Sequence, residues 1–195
     1  VEDIDLLRQQ VDTCKARLRN LVESADLRRK DEPETRDAQS WLDGVIDRWL
    51  VLRPDEAVVQ LGLSDRVRLV QHPSTTQGMG HSLAAGIARL QAESSAQAVA
   101  IFLADMPLIR RDSLDALLAQ ASASSIVQPS HRGSRGHPVL IGRDFWPQLA
   151  ALSGDAGARR VLQRNAEAVQ IVELDDPGVL QDVDTREDWQ QLPPH

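Results

Sequence analysis

The chain is predicted to form a three-layer α/β/α domain around a mostly parallel sheet. From residue 49 onward, short apolar runs alternate with amphipathic helical segments, the pattern of successive βα units whose crossovers lay helices on both faces of a sheet. The run Ala98-Val99-Ala100-Ile101-Phe102-Leu103 contains no polar side chain, as expected of a strand covered on both faces. With 195 residues, 42% of them apolar, the chain fits one domain spanning 1–195 with a substantial core.

Residues 1–48 differ in texture from the rest. Ile4, Leu7, Val11, Leu18, Leu21 and Val22 fall near helical spacing, and a second helix is expected over Asp37–Asp47. Between them Arg28-Arg29-Lys30-Asp31-Glu32-Pro33-Glu34 reads as a charged loop, Pro33 discouraging helix. Trp49–Leu52 then reads as a buried strand, a helix opens at Pro54-Asp55 and runs to about Leu61, and Arg66–Val70 is the next strand. A helix is expected over Ser82–Gln91, with Leu83, Ile87 and Leu90 on one side.

The apolar run 98–103 follows, and Asp112 is expected to cap a helix reaching Leu118. Ser125–Pro129 and Pro138–Ile141 are predicted strands around a Gly-rich turn. A helix over about Ala156–Gln163 and a strand over Val169–Val172 complete the alternation.

The formal net charge of -7 argues against nonspecific binding to nucleic acid or anionic membranes, since both need a concentrated basic surface. A nucleotide substrate is compatible with it, needing only a local anion site. The single cysteine, Cys14, offers neither an internal disulfide nor a thiolate metal cluster. No apolar run reaches the length of a membrane span and no signal-peptide pattern marks the acidic start, so a cytoplasmic location is expected.

In an open α/β sheet, ligands gather beyond the carboxyl ends of the strands. Asp105 lies just past the 98–103 run. By residue type it fits a Mg²⁺ ligand and a turn aspartate before Pro107 equally well. In Asp182-Val183-Asp184-Thr185-Arg186-Glu187-Asp188, Thr185 and Asp188 read as a capping box. Asp182 is left over by that box and is the stronger functional carboxylate.

Gly78-Met79-Gly80-His81-Ser82-Leu83 runs into a helix, where exposed N–H groups suit an anion, although a bare Gly-rich turn is more often an ordinary loop. Arg135-Gly136-His137-Pro138 enters a strand at a glycine that lets a ligand approach. A lone His137 is more often structural. In Gly154-Asp155-Ala156-Gly157-Ala158-Arg159, Asp155 fits an N-cap and Arg159 a phosphate partner.

Five segments in this order, 78–83, Ala-Asp-Met-Pro-Leu at 104–108, Gly-His-Pro-Val-Leu at 136–140, 154–159 and 182–188, resemble the molybdenum cofactor cytidylyltransferases. These belong to the MobA-like nucleotidyltransferase group. The resemblance covers about residues 49–192 and implies a Rossmann-like fold. It implies Mg²⁺-dependent transfer of CMP from CTP to the phosphate of Mo-molybdopterin, with release of pyrophosphate.

By position, Asp105 and Asp182 match the family's metal-binding acids. Gly80, Ser82 and Leu83 match its nucleotide segment. Gly136, His137 and Pro138, together with Asp155 and Arg159, match its substrate side. A molybdoenzyme or its maturation chaperone is the implied protein partner. Relatives also carry a Leu-Ala-Ala-Gly-x-Ser-x-Arg-x-Gly loop around the triphosphate, and nothing between Val1 and Arg48 matches it. Two alternatives therefore stand beside CTP transfer: a noncatalytic relative that binds the cofactor or a partner molybdoenzyme, and a guanylyltransferase of the same pathway.

Overall fold

A computed structural model describes residues 48–52, 54, 67–103, 105–106, 108–155 and 157–183. The helices expected within 1–48 and over 55–61 lie outside the described residues, as do Asp184 and the capping box at Thr185 and Asp188.

Strands β1 (Arg48–Leu52) and β2 (Val67–Gln71) form a parallel pair with Leu50 opposite Leu69. Gly78, at φ 117°, leads into helix α1 (Met79–Glu93), which begins three residues earlier than its apolar stripe suggested. Strand β3 (Ala98–Ile101) and helix α2 (Arg111–Leu118) follow. Next come β4 (Ile126–His131), the two-residue β5 (Ser134–Arg135) and β6 (Val139–Gly142). Short helices α3 (Trp146–Ala150) and α4 (Arg159–Arg164) precede β7 (Val169–Glu173). A 3-10 turn over Pro177–Val179 leads to the last described residues.

The second sheet has the order β3-β6-β4, with β5 and β7 both paired to β4. β4 and β7 are parallel, whereas β6 is antiparallel to both β3 and β4. It follows that β3, β4 and β7 share one direction and β6 is reversed between them. The cause lies in the connection: residues 132–138 are too few for a crossover, which takes a dozen residues or more, so the chain must double back.

The expected α/β/α layering is present. Ile126, Val139 and Ile141 face Ile87 and Leu90 of α1, Trp146 and Leu149 of α3, and Val161 of α4. Their neighbours Val127 and Leu140 point the other way, onto Leu117 of α2. This is the period of two that a sheet covered on both faces requires. Each fully buried aliphatic side chain here contributes roughly 1.5–3 kcal/mol. Trp49 of β1 joins the first cluster, and α1 lies so close to β1 that a methyl on Gly86 would meet Val51 Cγ2 at 2.8 Å.

Two expectations change. β3 ends at Ile101, two residues early, and is half-buried throughout, because among the described residues it pairs only with β6; Phe102 beyond it is exposed. β1 is likewise half-buried at Trp49–Leu52 rather than fully buried. No helix among the described residues is long and apolar enough to cross a membrane.

Candidate functional site

β3 delivers the chain to its carboxyl end, and the turn that follows carries Asp105. The residue is half-buried and its Oδ1 is shielded from solvent. Met106 N–H donates back to the Leu103 carbonyl at 3.4 Å, closing the turn. Val183 N–H donates to the Asp105 carbonyl at 2.8 Å. Val183 is buried and Asp182 exposed, so alternation along the chain turns one side chain inward and its neighbour out. Two acidic residues 77 positions apart thus sit on segments joined directly by a backbone hydrogen bond.

Residues 136–138 form the third wall. Gly136 N–H donates to the Pro129 carbonyl and His137 N–H to the Val179 carbonyl, both at 2.8 Å, and the His137–Pro138 peptide is cis. Gly136 is required by packing: a methyl there would lie 2.2 Å from the Val179 carbonyl oxygen. The His137 imidazole faces the Ile101 carbonyl and the Asp105 carboxylate. Burial, the largest influence, still holds its pKa below the ordinary 6.5. Nδ1 of His137 is buried without a hydrogen-bond partner among the described residues. The Asp105 turn thus adjoins both the 136–138 segment, through His137, and the segment that carries Asp182, through Val183.

The other candidates form a second group. Gly80 N–H donates to the Gly154 carbonyl at 2.8 Å, and Gly154 N–H donates to His81 Nδ1 at 3.0 Å. The Gly78–Leu83 and Gly154–Arg159 segments are thereby clasped together. The N–H of Gly80, expected to be exposed, is already satisfied by the protein. Ser82 Oγ turns back onto the Thr75 carbonyl at 3.3 Å, and Leu83 packs on the core.

Asp155 does not cap a helix. α4 starts only at Arg159, behind Ala158, while Asp155 Oδ1 lies against Gly78, 2.3 Å from where a methyl would stand. Arg159 is exposed at the start of α4.

Sequence reasoning missed Asp176. This carboxylate is 2% exposed and accepts from Arg110 N–H at 2.9 Å, Ser113 Oγ at 2.6 Å and Gly178 N–H at 2.9 Å. Asp112, the expected cap of α2, makes no capping bond; the helix begins behind Arg110, whose N–H is held by Asp176. The available signal was the Asp-Pro-Gly at 176–178, an aspartate set to receive the N–H two residues on.

The site's donor chemistry suits a hard divalent cation. Mg²⁺ is commonly held by one or two carboxylates plus substrate phosphates rather than by a closed protein cage. Asp105 and Asp182 are two such donors on adjoining segments. Among the described residues no three His, Cys, Asp or Glu side chains form a fuller cluster.

A Rossmann-like α/β/α fold that carries Asp105 and the Asp182 segment past the end of β3 has these acids where open α/β sheets gather their ligands. Residues 32–169 match the MobA-like NTP transferase domain, and the chain belongs to that family. The match stops short of Asp182.

Among curated proteins, the chain is 34% identical over 117 residues to the purine catabolism protein PucB of Bacillus subtilis, covering 60% of this chain and 56% of that protein. It is 31% identical over 134 residues to the nicotine blue oxidoreductase of Paenarthrobacter nicotinovorans, covering 64% of each. The chain thus spans less than two thirds of either relative. Among solved structures, Rv0371c of Mycobacterium tuberculosis in complex with manganese superposes with a TM-score of 0.61 at 21% identity, over 79% of this chain and 82% of that one. A homologue from Mycobacterium sp. strain JC1 gives 0.51 at 26% identity, over 64% and 61%.

Proposed function

We propose that this domain transfers CMP from CTP to the terminal phosphate of Mo-molybdopterin and releases pyrophosphate, working in the cytoplasm beside the molybdoenzyme that receives the product or its chaperone. The observation that carries this reading is the bond from Val183 N–H to the Asp105 carbonyl, which sets two carboxylate-bearing segments side by side past the end of β3. Asp105 and Asp182 would hold Mg²⁺. When bound, the ion supplies charge neutralisation at the α-phosphate and the leaving pyrophosphate.

The chain's own contribution is position. An oxygen of the acceptor phosphate bonds to the α-phosphorus as the bond from that phosphorus to the bridging oxygen breaks. The acceptor oxygen is already anionic, so no protein base is needed. His137, whose pKa burial holds below the ordinary 6.5, lines the site. Gly80 and Ser82 would border the nucleotide, with Leu83 behind them, and Gly136 and Pro138 the pterin; Asp155 and Arg159, on the segment clasped to 78–83, would reach the substrate from that side. Membership of the family and the order of its five segments support this assignment.

A second reading, cofactor binding without transfer, is favoured by the lack of the family's Gly-rich triphosphate loop anywhere in 1–48. One experiment separates them. The protein is incubated with Mo-molybdopterin, Mg²⁺ or Mn²⁺, and CTP, GTP or ATP, and pyrophosphate is measured. The proposal expects release with CTP that falls by about a hundredfold or more in Asp105→Asn and Asp182→Asn. Release with GTP alone would move the domain to the guanylyl branch. Cofactor binding without any release would establish the second reading and overturn the first.

A further inference from the structure

We infer that Asp176 is a positioning residue for the proposed metal site, setting the register of the three segments that carry Asp105, His137 and Asp182. The inference rests on the site assignment above and adds a residue outside it.

A carboxylate at 2% exposure is costly unless its lone pairs are filled. Here they are. Oδ2 receives Arg110 N–H and Ser113 Oγ, and Oδ1 receives Gly178 N–H, with Arg110 Nε 3.5 Å away. Two of these donors sit at the start of α2, Arg110 at its cap and Ser113 in its first turn, where the helix dipole favours an anion. The third opens the 3-10 turn Pro177–Val179. One side chain thus ties α2 to a turn more than 60 residues away.

Each consequence of that tie points at the site. The same turn presents the Val179 carbonyl to His137 N–H at 2.8 Å. It presses Gly178 so closely on the segment after Asp105 that a methyl there would meet the Leu108 carbonyl oxygen at 2.2 Å. Five residues past Gly178, Val183 N–H reaches the Asp105 carbonyl. If the turn moves, the His137 contact, the Leu108 contact and the Asp182 segment move together. A neutral isostere at 176 keeps the shape but must present an NH₂ where an acceptor stood, so at least one donor on α2 or the turn loses its partner.

The test uses the whole chain with Asp176→Asn and, as the milder change, Ser113→Ala. Two readouts are taken: Mn²⁺ affinity by calorimetry, and amide hydrogen exchange at His137, Val183 and the β4 core residues 126–128. Asp176→Asn is expected to weaken Mn²⁺ binding about tenfold, the lower end of what is lost when the support behind metal ligands is disturbed, with KM for nucleotide at saturating Mn²⁺ nearly unchanged. Exchange at His137 and Val183 should quicken while 126–128 stay protected. Ser113→Ala should shift both readouts in the same direction by less, and carries the test if Asp176→Asn does not fold.

Mn²⁺ affinity unchanged in folded variants would reduce Asp176 to a structural cap and overturn the inference. So would unchanged exchange at His137 and Val183. Wild-type protein that binds no Mn²⁺ would refute the metal-site assignment itself, leaving the exchange arm to decide whether Asp176 sets the register of these segments.

Discussion

Replacing Gly136 by alanine is the sharpest probe of how the site is held. The added methyl would stand 2.2 Å from the Val179 carbonyl oxygen, 2.8 Å from its carbon and 3.1 Å from Val179 Cβ. Carbon–oxygen contacts settle near 3.3 Å, so the two segments must part by roughly 1 Å. The obstacle is backbone and cannot swing aside as a side-chain tip can. Overpacking of this kind costs about 1–3 kcal/mol. Loss of the His137 N–H bond to that same carbonyl adds about 1 kcal/mol.

A destabilisation of about 2–4 kcal/mol is therefore expected in urea unfolding, and a 1 Å displacement at the site should cost on the order of a hundredfold in turnover. Gly133→Ala is the internal control. Gly133 has φ 79° but nothing within 4 Å of an added methyl, so only the left-handed backbone penalty of about 1–2 kcal/mol applies, and turnover should survive. If Gly136→Ala proved no more costly than Gly133→Ala, the tight seam between residues 136 and 179 would not be what holds the site.

Trp146 tests the core. It is fully buried and its Nε1–H donates to the Ile141 carbonyl at 3.0 Å. Trp146→Phe should cost about 2–4 kcal/mol, from the orphaned carbonyl and the unfilled volume, read as a lower unfolding midpoint with the metal affinity retained. A loss below 1 kcal/mol would show that the site collapses more freely than its packing implies. For His137, the folded-state pKa lies below the ordinary 6.5. The unfolded chain therefore takes up the proton first as pH falls, so stability is retained above about 6.5 and declines on acidification toward the folded value. His137→Gln should flatten this part of the stability profile, and parallel profiles for the two proteins would refute the assignment.

Much of the fold was legible because it follows from local periodicity. The apolar stripe of α1, the β-branched runs of β4, β6 and β7, and the short return between β4 and β6 are properties of neighbouring residues, and the structure reproduces them to within a few positions. Errors fell where a distant segment supplied the partner. Asp112 sits at a plausible cap position for α2, yet the carboxylate that serves the start of that helix is Asp176. Gly80 stands at a helix start whose free N–H groups suit an anion, yet Gly154 fills its bond. Asp155 precedes a helix without capping it and instead rests on Gly78.

By itself the sequence determined the alternation of strands and helices, the acidic character of the rim and the glycines that permit close approach, since these depend on residue type and spacing. Only the tertiary structure decided that the segments carrying Asp105 and Asp182 lie side by side, that His137 is half-buried against Asp105, and that Asp176 ties the surrounding segments together. The reason is physical: hydrogen bonds and desolvation are set by distance in space, and distance in the chain leaves that undetermined.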